Sequence, residues 1–242
     1  MPLFSIIVPT YNSESTLELC LTSIATQMFQ DFEILIIDGN SSDNTMKIVK
    51  GISEVYGNTK WISEPDLGIY DAMNKGISKA SGDWIYFLGS DDYILDDKVL
   101  RDVAVKLNNT SASIVYGNAI VKSDNKSKGG EFSLHKLLTE GNLCHQTIFY
   151  KRSVFDILGK FNLKYPILAD WDFNVKVFLE KRPTRYKNLL VVQYSNKGYS
   201  SQHRDLQFEE KLTNIKAKYY EHFLHRLNSR YHYLKKRIKR LL

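Results

Sequence analysis

Apolar and polar positions divide the first hundred residues into short apolar runs separated by helical stripes. Phe4–Val8, Phe32–Ile37 and Asp83–Leu88 are dominated by apolar side chains, the pattern of strands covered on both faces. Lys60–Ser63 is a weaker run of the same kind. Between these runs, Leu17, Cys20, Leu21 and Ile24 recur at the spacing of one helical face, with Ser13 placed to cap that helix. Met46 and Val49 open a second stripe. Ile69, Ala72, Met73, Gly76, Ile77 and Ala80 form a third, closed by Ser81-Gly82. Leu100, Val103, Ala104 and Leu107 form a fourth. The alternation predicts an α/β fold: a mostly parallel, Rossmann-like sheet with helices on both faces.

The second half is less regular. Ile114–Val121 reads as a strand, Lys122–Gly130 as a polar loop and Thr147–Tyr150 as a short strand. Arg152–Leu158 is a short helix ended by Gly159, and a further helix opens near Asp170. Leu189–Tyr194 is a last strand, and Phe208, Leu212, Ile215, Tyr219 and Phe223 mark a long C-terminal helix. The expected organisation is one domain over 1–210, with a nucleotide-binding half (1–110) and an acceptor half (111–210), followed by a basic helical tail over 211–242.

Composition adds boundaries. With 242 residues, 43% hydrophobic and 25% charged, the chain can bury a full core, which excludes intrinsic disorder. Two cysteines, Cys20 and Cys144, exclude a disulfide scaffold and fit a reducing, cytoplasmic setting. No apolar run reaches the roughly 18 residues of a membrane span. The first residues lack a basic leader and read as a strand, not a signal peptide. Charge changes the picture more. The formal net charge is +6, yet 211–242 carries ten Lys/Arg against one Glu, so the remainder is mildly acidic. Leu227, Tyr231, Leu234, Ile238 and Leu241 share a face flanked by basic residues. That arrangement suits an anionic membrane surface, with the protein peripheral on the inner face of the cell membrane, better than a nucleic acid.

In open parallel sheets, ligands bind beyond the carboxyl ends of the strands. Candidate polar groups sit there: Pro9-Thr10-Tyr11-Asn12 after the first strand, Asp38 ending the second, and Asp91-Asp92 after the strand that follows the third helix. An aromatic ring and a carboxylate suit a nucleobase. A carboxylate pair beside a diphosphate makes sense only with a divalent cation, Mn²⁺ or Mg²⁺, between them.

These segments resemble family 2 glycosyltransferases. The matching pieces are Ile7-Val8-Pro9-Thr10-Tyr11-Asn12, Ile36-Ile37-Asp38-Gly39-Asn40-Ser41-Ser42-Asp43-Asn44-Thr45, Ala72-Met73-Asn74-Lys75-Gly76 and Ser90-Asp91-Asp92, in order and in register. The resemblance covers most of residues 4–200. It implies a GT-A fold, a nucleotide-diphosphate sugar donor with uridine diphosphate as carrier, inversion at the anomeric centre, and a role in surface polysaccharide biosynthesis with a saccharide or lipid-linked saccharide as acceptor. It also implies roles. Pro9, Tyr11 and Asp38 would meet the nucleobase, with Thr10 and Asn12 beside it. Asn74 and Lys75 would lie near ribose and phosphates, Asp91 near the ribose or the metal, and Asp92 on the metal. Gly89 stands where the family's acidic motif begins with Asp.

Leu168-Ala169-Asp170-Trp171-Asp172-Phe173 resembles the segment that supplies the family's general base, with Ala169 in place of the usual acidic residue. Asp170 is thereby assigned as base and Trp171 as an aromatic wall for the acceptor sugar. Asp172 is set apart from Asp170, since i and i+2 do not share a helical face. His145-Gln146 resembles a recurrent pair that places His145 near the acceptor. Gly198-Tyr199-Ser200 resembles a donor-side loop, which would bring His203 and Arg204 to the diphosphate on closure. No Gln-x-x-Arg-Trp signature follows Asp170, so the resemblance implies transfer of a single sugar. Two other readings stay open on the residues alone. One is a sugar-phosphate nucleotidyltransferase, which would want a glycine-rich basic loop after the first strand. The other is a catalytically silent polysaccharide- or membrane-binding module, which would not need Asp91, Asp92 and Asp170 together.

Overall fold

The computed structural model describes residues 1–195 and 203–221. The chain forms two compact units, Met1–Arg204 and Asp205–Leu242. The break falls before 211 because Phe208 and Leu212 lie on one helix over 206–221. Asp205 begins that helix by accepting a hydrogen bond from the Phe208 N–H at 3.2 Å. Phe223, the apolar face from Leu227 to Leu241 and the Gly198-Tyr199-Ser200 loop lie outside the described residues. Among the described residues, no helix is long and apolar enough to cross a membrane.

The first unit opens with β1 (Phe4–Thr10), α1 (Leu17–Ala25), β2 (Phe32–Asp38), α2 (Thr45–Val55), β3 (Thr59–Ser63), α3 (Ile69–Lys79) and β4 (Trp84–Phe87). It continues with β5 (Tyr93–Ile94), α4 (Val99–Leu107), β6 (Ile114–Val121), β7 (Ser127–Lys128) and α5 (Leu134–Thr139). A 3₁₀ turn (His145–Thr147), β8 (Ile148–Lys151), α6 (Ser153–Leu158), α7 (Ala169–Leu179) and β9 (Thr184–Tyr194) complete it. The strands form one sheet in the order β3-β2-β1-β4-β8-β6-β9-β5, with β7 on β6.

Parallel pairing joins β3, β2, β1 and β4, as the alternating pattern predicts. Beyond β4 the sheet is mixed. β8 pairs antiparallel with both β4 and β6, and β5 with β9, while β6 and β9 run parallel. The expectation of a mostly parallel sheet thus holds throughout β3, β2, β1 and β4, while beyond β4 the parallel pair β6–β9 is interleaved with antiparallel neighbours. Parallel neighbours require a crossover, usually helical, and the strong helical stripes end with Leu107.

Every residue of β1 and β2 is buried. Their apolar runs are covered on both faces, and Leu17, Cys20, Leu21 and Ile24 of α1 supply part of that cover. α3 approaches the sheet so closely that a Cβ at Gly76 would lie 2.5 Å from the Cγ2 of Ile7. α1 begins at Leu17 rather than behind a Ser13 side-chain cap. The Ser13 backbone carbonyl accepts from the Thr16 and Leu17 N–H groups, and its hydroxyl lies 2.8 Å from that of Ser90. Ser13 thus ties the loop after β1 to the loop after β4. Register aligns Thr10, Asp38 and Ser63 at the carboxyl ends of β1, β2 and β3.

Candidate active site

The β1–β3 end is built around Asp38, whose carboxylate is fully buried. Oδ2 accepts from the Ser41 N–H at 3.0 Å and the Ser63 hydroxyl at 2.5 Å. Oδ1 accepts from the Ser41 hydroxyl at 2.5 Å and more distantly from Thr10 at 3.4 Å. Asn12, at φ 47°, accepts from the Ser42 N–H at 2.9 Å and donates its own N–H to the Ser41 hydroxyl at 2.8 Å, which locks the two loops together. Pro9 is buried in β1, whereas Tyr11 leaves 66% of its surface open. A Cβ at Gly39 would lie 3.3 Å from the Tyr11 ring and 2.7 Å from Asp66 Oδ2. Gly39 therefore keeps open the niche between a free aromatic face and a carboxylate. Asp66 was not singled out from sequence, because nothing in Glu64-Pro65-Asp66 marks it as returning to the β2 end.

At the end of β4 the chain turns through Gly89-Ser90-Asp91-Asp92, closed by the Asp92 N–H bonding to the Gly89 carbonyl at 3.0 Å. Asp91 is exposed and Asp92 buried. Asp92 Oδ2 accepts from the Gln146 amide at 2.9 Å and Oδ1 from the Ser195 N–H at 2.9 Å. Burial and then the Asp91 charge push the Asp92 carboxyl up to about 7 against those two hydrogen bonds. A Cβ at Gly89 would lie 2.7 Å from Asp92 Oδ2 and 3.1 Å from Asp91 Oδ1. The two carboxylates thus converge over one glycine, whose missing side chain gives them room. Hard oxygen donors whose mutual repulsion calls for positive charge fit Mg²⁺ or Mn²⁺. Among the described residues no group of three or more His, Cys, Asp or Glu forms a complete metal cage; an ion held by one or two carboxylates, phosphate and water needs none.

Asp170 lies in the first turn of α7 and is buried. Its Oδ1 faces the Tyr70 hydroxyl of α3 at 2.6 Å, and its Oδ2 accepts from the Asn142 amide at 2.7 Å. Asn142 is itself held by Asn174, whose amide donates to Asn142 Oδ1 at 2.9 Å; Asn174 accepts from Tyr150 at 3.1 Å. His145 Nδ1 stands 3.7 Å from Asp170 Oδ2, beyond hydrogen-bond range. Both ring nitrogens of His145 are buried without a hydrogen bond, and the ring stacks on Phe87. Burial lowers the His145 pKa, opposed by Asp170, so the imidazole is held toward its neutral form.

A cleft of about 580 Å³ joins these last two groups. Asp91, Asp92, Gln146 and Ser195 line it together with His145, Asp170 and Trp171. Trp171 is oriented by its indole N–H, which donates to the Leu137 carbonyl of α5 at 3.0 Å. Asp172 points elsewhere, as helical spacing requires: it is buried and pairs with Lys176 at 3.1 Å. Asn74 and Lys75 do not line the cleft. Asn74 clamps the Phe161 backbone by both N–H and C=O at 2.9 Å, and Lys75 reaches the Pro65 carbonyl at 2.8 Å and Glu64 at 3.0 Å. His203 and Arg204 are exposed. Sequence reasoning missed Tyr70, Asn142 and Ser195, because their partners are about 100, 28 and 103 residues away. Gln146 carried a signal, standing beside His145 in the recognised pair.

Polar loops at the strand ends, a carboxylate pair on a tight turn and a third carboxylate across one cleft are the arrangement of a transferase of the GT-A fold. Over residues 5–174 the chain matches the model of glycosyl transferase family 2, and it belongs to that family. It is 42% identical over 200 residues to a PGL/p-HBAD biosynthesis glycosyltransferase of Mycobacterium bovis, covering 81% of this chain and 78% of the relative. It is 33% identical over 154 residues to the glycosyltransferase GlyA of Streptococcus pneumoniae, covering 64% of this chain and 21% of that one. The fold is shared with S. aureus TarS 1–349 in complex with UDP-GlcNAc, with TM-score 0.69 and 23% identity over 83% of this chain and 61% of that chain. It is also shared with the mannosyltransferase PcManGT from Pyrobaculum calidifontis in complex with GDP-Man and Mn²⁺, with TM-score 0.63 and 17% identity over 78% and 56%. The protein is a glycosyltransferase.

Proposed function

We propose that the enzyme moves one sugar, with inversion, from a uridine-diphosphate sugar to a hydroxyl of a saccharide or lipid-linked saccharide in the assembly of a surface polysaccharide. The observation that carries this reading is the single cleft lined at once by the Asp91–Asp92 pair and by Asp170. The UDP-GlcNAc bound by TarS supports the choice of carrier.

In this reading Tyr11 and Asp38 receive the nucleobase, with Pro9, Thr10 and Asn12 shaping the pocket. Asp91 and Asp92 would hold Mn²⁺ or Mg²⁺, which supplies positive charge against a departing diphosphate. Asp170 takes the proton of the acceptor hydroxyl as its oxygen bonds to the anomeric carbon on the face opposite the diphosphate. The C–O bond to the diphosphate breaks, and its electron pair leaves with the nucleotide. The transition state is oxocarbenium-like. Trp171 offers the acceptor sugar an apolar face, and His145 lines the same cleft beside it. His203 and Arg204 are assigned to the diphosphate. The basic tail brings the enzyme to an anionic membrane surface where a lipid-linked acceptor would reside.

The central test is Asp170→Asn. Turnover of the active nucleotide sugar, found by screening a panel with Mn²⁺ for thermal stabilisation, should fall roughly 10²–10⁴-fold while donor affinity is kept. Retained turnover would remove Asp170 from the reaction. Deleting 226–242 should weaken co-sedimentation with anionic vesicles, and unchanged sedimentation would end the membrane assignment.

A further inference from the structure

Tyr70 belongs to no segment recognised as functional, yet its hydroxyl is placed between two acceptors. It lies 2.6 Å from Asp170 Oδ1 and 2.9 Å from the Ile167 carbonyl. A phenol carries one proton, so it serves one of these oxygens at a time. Burial and then the Asp170 charge push the Tyr70 pKa well above its ordinary value, so that proton stays on the phenol. The ring is fixed by burial and by Phe161, whose centroid lies 5.4 Å away. The hydroxyl can still turn about its C–O bond.

The other Asp170 oxygen has no such freedom. Oδ2 faces the Asn142 amide, and only its NH₂ can pair with a carboxylate there. Asn174 fixes that orientation by donating to Asn142 Oδ1, and Tyr150 fixes Asn174 in turn. A proton on Oδ2 would meet a donor, whereas a proton on Oδ1 meets a hydroxyl that can reverse.

We infer that Tyr70 is a positioning residue for the proton transfer: its hydroxyl donates to Asp170 while the carboxylate is ionised, then turns to the Ile167 carbonyl and accepts from Asp170 once Oδ1 is protonated. This rests on Asp170 as base. The acceptor's proton ends on Oδ1 of Asp170, the electron pair of the acceptor O–H bond forms the new glycosidic bond, and the nucleoside diphosphate leaves with the electron pair of the broken bond. Both protonation states of the base are thereby hydrogen-bonded without moving a ring or the backbone. The other titratable groups facing Asp170 are Cys144 and His145 beside the 3₁₀ turn and Tyr150 of β8. None of these presents a reversible hydroxyl to Oδ1.

The test is Tyr70→Phe in the full-length chain, which keeps the ring and removes only the hydroxyl. With ¹³C-aspartate labelling, Asp170 is the carboxyl resonance missing from Asp170→Asn. Its titration should move to higher pH in Tyr70→Phe, because the ionised form loses a charge-assisted donor. Release of UDP from the UDP-sugar that stabilises the protein should fall about tenfold or more in kcat with donor KM unchanged. Coincident titration curves, or wild-type kcat, would overturn the role of Tyr70. The base reading fails separately, through retained turnover in Asp170→Asn, and a shifted titration would stand even then.

Discussion

The two ends of the strand edge treat buried carboxylates in opposite ways. At the end of β2, Asp38 receives hydrogen bonds from Ser41, Ser63 and Thr10. At the start of that strand, Glu33 receives four, from the Ser5 hydroxyl, the Ser81 N–H and hydroxyl, and Lys60. After β4, Asp92 receives only two and is pushed up to about 7 by burial and by Asp91. Where protein donors saturate a carboxylate, its charge is settled within the fold. Where they do not, the fold bears an electrostatic cost that a bound cation can relieve.

The sharpest way to break that comparison is Asp92→Asn. It should lower turnover by roughly 10²–10³-fold and abolish the thermal stabilisation expected of the wild-type enzyme with Mn²⁺ and UDP. Differential scanning fluorimetry with and without Mn²⁺ reads this. Equal stabilisation of both proteins would mean the turn after β4 is structural, like the Glu33 network.

The same contrast explains what was legible in the sequence. β1, β2, β4, α1 and α3 followed from apolar periodicity, because each buries a continuous stripe; β3, with no fully buried residue, gave a weaker run. The strand-end residues then followed from topology alone. Beyond β4, α5, β5 and β7 are six, two and two residues long, too short for any period to show. Asp170 was legible only through resemblance, and Asp172, equally acidic two positions on, is separated from it by helical geometry. Tyr70, Asn142 and Ser195 could not be read, since their roles arise from hydrogen bonds that span the sheet. Asn74 shows the converse. It lies in a recognised motif, but both ends of its amide are engaged by the Phe161 backbone, so its contribution runs through the loop that precedes α7.

Two glycines sharpen the comparison at smaller scale. Gly76→Ala places a methyl 2.5 Å from Ile7, within the packed interface of α3 and β1. It should cost about 1–3 kcal/mol by overpacking, seen as a lower urea midpoint. Gly89→Ala places its methyl against the carboxylate ends of Asp92 and Asp91 rather than against backbone. Its stability should change by less than about 1 kcal/mol, while the Mn²⁺ concentration needed for half-maximal turnover rises several-fold. A large stability loss at Gly89 with unaltered Mn²⁺ dependence would invert the assignment.

A pH-dependent effect tests the saturated end. Burial alone would raise the Glu33 carboxyl, but the hydrogen bonds from Ser5, Ser81 and Lys60 outweigh it and bring the group from 4.5 to about 2. A carboxyl whose pKa is lower folded than unfolded stabilises the native state fully above the unfolded value, and that contribution is lost as pH falls through the folded value. Lys60 is 69% exposed in its side chain, so solvent screens that arm and the contribution is discounted to about 1–2 kcal/mol. Glu33→Gln should therefore unfold at lower urea than wild type at pH 7, and the two midpoints should approach each other as pH falls from about 4.5 toward 2. A gap that stays constant over that range would show that Glu33 acts through packing and not through its charge, and the distinction between satisfied and unsatisfied carboxylates would then rest on Asp92 alone.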